Sequence, residues 1–233
     1  MTSNFTPPPF VERIQYKNCQ QINDPVTGKR VYATPDGEKL PSVTTILSST
    51  KDMTHLNEWR KRIGFDKAAQ ITKEASSVGT SMHANLERFL IGETRQPGNN
   101  PVHVQANKMA DVIIQNGLVH VDEVWAIEQS LYFPGLYSGT TDLCAVYQKN
   151  PSICDFKQTN KPKREEWVED YFLQLTAYIL SHNEVYGTDI KEGHIFMCSR
   201  DLIYQQFDLW PKDFNKYQDL WLSKLEEYYK SIV

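Results

Sequence analysis

Two short runs of β-type residues, separated by a turn, constrain the fold of this chain more than any other feature. They cover residues 143–147 and 152–156, and the Asn-Pro dipeptide between them predicts that they pair as a hairpin. Each run carries a carboxylate: Asp142 opens the first, and Asp155 lies inside the second between apolar neighbours. Those neighbours indicate a partly buried strand, and a buried carboxylate must be paired with a cation or bound to a metal.

Lys157 adds a cation beside the second carboxylate. Side chains alternate along a strand, so Asp155 and Lys157 project from the same face. Two strand carboxylates with an adjacent lysine suit a hydrolytic magnesium site, because Mg²⁺ prefers carboxylate oxygens and a lysine can polarise a nucleophilic water. The alternative is an exposed strand on which Asp155 and Lys157 form only a solvated ion pair.

The composition is that of an ordinary globular protein, with 40% hydrophobic and 23% charged residues among 233. This length predicts a single domain over residues 1–233, in which residues 1–12 form an extended arm because they contain three consecutive prolines. The net charge of −4 gives no overall signal for nucleic-acid binding, which must then depend on local basic groups or on metal.

Basic residues are concentrated in two places. One cluster covers residues 60–62, and the other follows Lys157 and contains Lys161, Lys163 and Arg164. The alternative interpretation of each cluster is a solvated surface, and for the first cluster we favour that interpretation. The second cluster directly follows the strand that carries Asp155.

The cysteine pattern and the absence of apolar spans indicate the compartment. The four cysteines show no C-x-x-C spacing, which excludes a zinc ribbon and favours free thiols in a reducing compartment. No apolar run approaches the length of a membrane span, and the N-terminus shows neither a signal-peptide nor a transit-peptide pattern. We therefore expect a soluble, cytoplasmic protein that is not associated with a membrane.

Hydrophobic periodicity predicts an alternation of strands and helices. We expect a small hairpin over residues 16–32, strands over residues 122–131, 190–197 and 202–209, and helices over residues 56–69, 71–91, 102–116, 167–186 and 212–232. The strand over residues 122–131 precedes the acidic hairpin, so at least three consecutive strands are expected.

Polar residues accompany the apolar stripe of the helix predicted over residues 71–91. His83 and Glu87 are four residues apart and share one helix face, and Gly79 lies in mid-helix, where it costs about 1 kcal/mol relative to alanine. That cost indicates that a backbone or a ligand approaches Gly79 closely. For His83 taken alone, the usual interpretation is a hydrogen-bonded histidine at the edge of the core.

Four short motifs follow one another in a characteristic order along the chain. They are Gly79…His83, Gly139-Thr140-Thr141-Asp142, Asp155-Phe156-Lys157 and Gln174…Tyr178. In this order the motifs resemble those of the PD-(D/E)XK nuclease superfamily, in its RecB-like branch. Residues 40–47, 155–163 and 225–228 further resemble segments of the mitochondrial genome maintenance exonuclease family. The resemblance extends over about residues 32–230, almost the whole chain.

Two departures from these relatives are visible. No mitochondrial leader pattern precedes the motifs, which favours a viral or bacterial relative acting inside a host cell. The cysteine cluster of the iron–sulfur members of the branch is also absent, since Cys144 and Cys154 lie next to the acids and not at the chain ends.

The resemblance implies an α/β (α+β) fold, in which a mixed central β-sheet is flanked by helices in a restriction-endonuclease-like core. It also implies a set of site residues. A Mg²⁺ or Mn²⁺ ion would be held by His83, Asp142, Asp155 and the carbonyl of Phe156, while Lys157 would orient the attacking water. Gln174 and Tyr178 would brace Lys157, and Glu128 would be a further carboxylate of the site. A helical arch would admit one strand, with its backbone guided by Lys161, Lys163 and Arg164.

The activity so implied is that of a metal-dependent DNA exonuclease that prefers single-stranded DNA with a free end. The expected partners are single-stranded DNA and proteins of replication or recombination. One alternative is a structure-specific flap or end-resecting endonuclease in recombination or repair. Another is a catalytically silent DNA-binding accessory protein, which we disfavour because such a relative would typically have lost Asp155 or Lys157.

Overall fold

The structure is a computed structural model that describes residues 5–25, 28, 30–95 and 97–232. Its strands are β1 (Gln20–Asn23), β2 (Arg30–Ala33), β3 (Lys39–Pro41), β4 (Val121–Phe133), β5 (Tyr137–Tyr147), β6 (Asn150–Thr159), β7 (Glu192–Ser199) and β8 (Tyr204–Leu209). Its helices are α1 (Val43–Ser49), α2 (Thr54–Ile63), α3 (Phe65–Leu90), α4 (Pro101–Asn116), α5 (Glu169–Tyr186) and α6 (Pro211–Ser231). None of these helices combines the length and the apolarity needed to cross a bilayer.

The central sheet has five strands in the order β4-β5-β6-β7-β8. All neighbouring strands are antiparallel except β6 and β7, which run parallel because α5 returns the chain across the sheet between them. This arrangement confirms the predicted mixed sheet flanked by helices and is consistent with a nuclease-like core.

Helices cover both faces of the sheet, and each face has its own apolar core. On one face α3 and α4 pack against side chains such as Leu143, Cys154 and Phe156. On the other face α1, α5 and α6 pack around Cys144 and Ile153. Adjacent strand residues therefore point to opposite faces, as the period of two requires. Asp155 follows Ile153 by two residues and so points toward the α5 layer.

The N-terminal region adds a small antiparallel sheet, β1-β2-β3, at one end of the molecule. Its first two strands confirm the predicted hairpin. The described part of the N-terminal arm, residues 5–12, lies along the outer edge of β4, where Pro9 and Val11 exchange backbone hydrogen bonds with Val124. The arm thus satisfies backbone groups that an open edge strand would leave exposed.

Two local predictions are corrected by the structure. The β5–β6 turn is formed by Gln148 and Lys149, both with positive φ, and not by the Asn-Pro pair, which belongs to β6. The break between the second and third helices lies at Gly64, with φ 90°, and not near residue 70. Helix α1 lies in a segment for which the sequence predicted no element: its Val-Thr-Thr-Ile sequence favours a strand, but Ser42 caps a helix there by accepting the Thr45 N–H.

Candidate active site

The central sheet divides at the position of the two aspartates. β5 and β6 pair only as far as Leu143 and Cys154. Beyond that pair β5 remains bonded to β4, whereas β6 continues along β7. Asp142 and Asp155 are therefore the first residues beyond the last rung, on the two arms of a fork. At the fork, backbone groups that would be paired in a continuous sheet are free to bind other partners, and two carboxylates come close together.

Asp142 closes the base of this fork. Its Oδ2 accepts the Phe156 N–H at 2.6 Å, which satisfies a backbone donor that β5 no longer bonds. Its Oδ1 lies 3.3 Å from Nδ1 of His83 on α3. Burial alone would raise the pKa of Asp142, but the His83 charge, Lys157 and the Phe156 N–H together hold this pKa below its usual range.

Asp155 and Lys157 form a buried ion pair on the α5 side of β6, with 2.5 Å between Nζ and Oδ2. The exposed-strand alternative is thereby excluded, since Asp155 is only 3% exposed. Burial and the neighbouring Asp142 outweigh the lysine and raise the pKa of Asp155 to about 6. Burial lowers the pKa of Lys157, but the two carboxylates outweigh it and the net shift is upward.

Helix α5 fixes the lysine from the other side. Lys157 Nζ donates to Gln174 Oε1 at 3.1 Å, and Gln174 Nε2 donates to the Tyr178 hydroxyl at 3.2 Å. The four-residue spacing places Gln174 and Tyr178 on the face of α5 that meets the fork. Gly139 completes this contact, because a Cβ at that position would lie 2.8 Å from Cε1 of Tyr178.

His83, Glu128 and Asp142 form a group that could hold a metal ion. One ligand atom from each lies within 4.8 Å of the other two. Glu128 has φ 48° and stands opposite Asp142, since the residues on either side of it pair with those on either side of Asp142. An imidazole nitrogen with carboxylate oxygens is a donor set that Mn²⁺ and Mg²⁺ accept, so the residues fit a divalent cation.

Burial and neighbouring charges shift the pKa values of His83 and Glu128. Burial lowers the pKa of His83, but Asp142 outweighs it and raises this pKa to about 9. The Glu128 side chain retains contact with solvent, yet the surrounding protein and the charge of Asp142 raise its pKa to about 7. The charge of Asp142 therefore adds to the effect of burial on the pKa of Glu128 and opposes the effect of burial on the pKa of His83.

The N-terminal region supplies site residues that the sequence did not indicate. A cavity of about 260 Å³ over the fork is lined by Arg30 and Tyr32 of β2 and by Thr44 of α1, besides the residues above. Arg30 Nη2 donates to Thr44 Oγ1 at 2.8 Å, and the Tyr32 hydroxyl lies 3.1 Å from Oγ1 of Thr140. Arg30, Tyr32 and Thr44 lie 35 to 49 positions before Gly79, the start of the first motif, so the motif spacing does not identify them.

The cavity extends along α3. An adjoining groove shares Arg30, His83 and Glu128 with it and is also lined by Gly79 and Glu87. The Gln158 side chain makes the close approach at Gly79, where a Cβ would stand 3.4 Å from its Cγ, an ordinary contact distance. Gly79 is therefore less constrained than Gly139.

The predicted basic residues lie on the segment that leaves β6. Lys163 Nζ is 5.4 Å from the centroid of the Tyr171 ring, and Lys157 Nζ is 5.1 Å from the same centroid. Arg164 stacks on Trp167, 5.5 Å from its centroid, and Lys161 is exposed. Within the described ranges no carboxylate is ion-paired with Lys161, Lys163 or Arg164.

Comparison with known proteins supports the resemblance to the mitochondrial genome maintenance exonuclease family. No protein-family model matches the chain. The chain is 28% identical over 213 residues to mitochondrial genome maintenance exonuclease 1 of Xenopus tropicalis, covering 82% of this chain and 58% of the relative. It is 29% identical over 203 residues to the Mus musculus protein of the same name, covering 81% of this chain and 59% of the relative. The chain thus spans less than two thirds of these curated relatives, and over that part it resembles the mitochondrial genome maintenance exonuclease 1 proteins.

Proposed function

We propose that this chain is a metal-dependent DNA exonuclease of the RecB-like branch of the PD-(D/E)XK superfamily, with residues 1–233 forming one nuclease domain. The observation that carries the proposal is the fork between β5 and β6, where buried Asp142 and Asp155 face the ion-paired Lys157. The similarity to proteins named exonucleases supports the same reaction class.

His83, Asp142, Asp155 and the Phe156 carbonyl would hold Mg²⁺ or Mn²⁺, with Glu128 as a further carboxylate. When bound, the cation supplies charge neutralisation at the scissile phosphate and lowers the pKa of water. The deprotonated carboxylates keep a cation in place and exclude a second anion from the base of the fork. Because a ligating imidazole must be neutral, His83 would have to lose its proton in order to hold a cation.

Lys157 would orient the attacking water, because two hydrogen-bond partners hold its ammonium group in place. Asp155 holds one side at 2.5 Å and Gln174 the other at 3.1 Å, so the group is positioned before substrate arrives. Gln174 and Tyr178 are positioning residues: the Tyr178 hydroxyl fixes the Gln174 amide, and the Gln174 amide fixes the lysine.

The substrate we propose is single-stranded DNA with a free end. Lys161, Lys163 and Arg164 would contact its phosphates, which makes binding weaken steeply as salt rises. Residues 54–77, in α2 and the first half of α3, bury only Ala68, so this helical segment stands away from the core. We infer that it forms an arch over the fork that passes one strand and excludes a duplex.

Two other functions remain as alternatives. A flap or end-resecting endonuclease would use the same fork but an open groove. A silent accessory protein is disfavoured, because the carboxylates, the lysine and its Gln174 brace are all in place. Proteins of replication or recombination are the partners we propose for the exonuclease.

Digestion of end-labelled linear and of circular single strands, with Mg²⁺ or with EDTA, tests the proposal. We expect degradation of the linear strand in Mg²⁺ alone, with circular strands and blunt duplex resistant. Asp142→Asn and Asp155→Asn should abolish cleavage while the melting temperature stays close to that of the wild type. Efficient cutting of circular strands would favour the endonuclease, and binding without cleavage would favour the accessory protein.

A further inference from the structure

Trp167 is a large aromatic side chain that the fold leaves in water. It lies in a 3₁₀ turn, Glu165–Trp167, between β6 and α5, and is 61% exposed. Its backbone is nevertheless fixed, because its N–H donates to the Arg164 carbonyl at 3.0 Å and the next residue, Val168, is fully buried. Tryptophan on a rigid support but without apolar cover is characteristic of a surface that stacks against a partner.

Cations and aromatic rings alternate from the fork to Trp167. The ammonium groups of Lys157 and Lys163 both lie over the Tyr171 ring, at 5.1 and 5.4 Å from its centroid. The next residue, Arg164, stacks its guanidinium on Trp167 at 5.5 Å. The Lys163 backbone is held in place by reciprocal hydrogen bonds with the Gln205 side chain of β8, at 2.7 and 2.8 Å. The alternating series therefore starts at the proposed catalytic lysine and ends at an exposed pair of flat groups.

The charges around this pair favour a nucleobase over a phosphate. Glu165 and Glu166 are exposed in the same turn and offset the charge of Arg164, so the turn is not a strong anion site. The planes of an indole and a guanidinium are both suited to stacking on a base, and such stacking tolerates any sequence. The lysines nearer the fork remain available to bind the phosphates of the DNA backbone.

We propose that Trp167 and Arg164 form a stacking platform for one nucleobase of a single strand whose phosphate lies in the fork. This inference rests on the proposed function, which it extends by naming the surface that grips the strand. Trp167 touches neither the carboxylates nor Lys157 and is a positioning residue for the strand. Its loss should weaken strand binding by roughly 5- to 150-fold, the usual contribution of one base–aromatic stack.

The test measures the affinity for labelled oligothymidylate by fluorescence anisotropy in Ca²⁺, and cleavage of the same strand in Mg²⁺. Trp167→Ala should raise Kd by roughly 5- to 150-fold, and Trp167→Phe should restore most of the affinity. Trp210→Ala is the matched control: Trp210 is 40% exposed, but it lies against His194 at the opposite end of the sheet. An abasic strand of equal length should bind the wild type and Trp167→Ala equally.

Three results would overturn parts of this reasoning. Equal Kd of wild type and Trp167→Ala for oligothymidylate, with cleavage intact, removes the platform and leaves the proposed function standing. An equal loss for abasic and normal strands also removes it, because the effect would then come from the backbone or from folding. A wild-type chain that neither binds nor cleaves single strands overturns the proposed function and the platform with it.

Discussion

Replacing Gly139 with alanine should damage the site through a single steric contact. The new Cβ would stand 2.8 Å from Cε1 and 3.0 Å from the hydroxyl of Tyr178, well inside contact distance. Tyr178 is only 2% exposed, so its ring has little room to retreat. Overpacking of this kind costs about 1–3 kcal/mol. For a domain of this size that corresponds to a melting temperature lower by about 2–4 °C for each kcal/mol.

Activity should fall further than stability suggests. A displaced Tyr178 can no longer bond the Gln174 amide at 3.2 Å, and Gln174 then holds Lys157 less firmly. A nucleophile-orienting group that is misplaced by about 1 Å can cost on the order of 100-fold in rate. We therefore expect Gly139→Ala to lower kcat on single-stranded DNA by one to two orders of magnitude, about the range for such misplacement.

Gly79→Ala is the matched control, since Gly79 begins another of the four motifs but lies in a helix. Its Cβ would meet only the flexible Gln158 side chain at 3.4 Å. Alanine in a helix interior should raise stability by about 1 kcal/mol. Thermal melts and single-turnover cleavage of both variants check the argument. A Gly139→Ala protein that matches the wild type in melting temperature and rate would refute it.

Three further substitutions test individual site residues. Lys157→Ala should lower kcat about 10²–10³-fold with little change in KM, the loss expected for one preorganised donor, and a rise in KM alone would make Lys157 a phosphate anchor. His83→Ala should lower cleavage in Mn²⁺ about 10–100-fold and leave the melting temperature nearly unchanged, whereas a structural histidine would show the opposite pattern. The fold raises the pKa of Glu128 to about 7, so the folded state loses stability as the pH rises above the ordinary pKa of a glutamate. Glu128→Gln should therefore have a higher melting temperature than the wild type at pH 8 in EDTA and the same melting temperature near pH 4.5. An equal difference at both pH values would show that charge is not the cause.

Elements with long periodic patterns were predictable from the sequence. The apolar repeat of α6 fixes its buried side, where Phe214, Trp221, Leu225 and Tyr228 pack as expected. Gly187 follows directly after the helix predicted over residues 167–186 and ends α5 in the left-handed conformation typical of a glycine cap, with φ 65°. In such segments the local pattern and the tertiary contacts favour the same structure.

Elements that depend on distant contacts were not predictable. The β-branched sequence of α1 favours a strand, and the helix forms because Ser42 caps it and because Val43 and Ile46 are buried against α5 and α6. The Gln148–Lys149 turn has no glycine or asparagine at its centre. It is stabilised by Asp122, which accepts both the backbone N–H and the Nζ of Lys149.

The site was predictable where it is encoded in motifs. The spacing of Asp155 and Lys157 fixes their common face, and helical spacing fixes that of Gln174 and Tyr178. The contact between the two pairs depends on the path of α5 between β6 and β7, which no short pattern records. The contributions of Arg30, Tyr32 and Thr44 depend likewise on where the small sheet packs.

Binding of Mn²⁺ by the purified chain tests the central claim most directly, because it requires neither DNA nor turnover. Electron paramagnetic resonance of free Mn²⁺ would be compared for the wild type, Asp155→Asn and Asp122→Asn. Asp122 is the control, as it is a carboxylate paired with Lys149 at the turn, away from the fork. We predict that Asp155→Asn weakens Mn²⁺ binding at least about tenfold and that Asp122→Asn does not. Equal binding by the wild type and Asp155→Asn would contradict the assignment of Asp155 as a metal ligand.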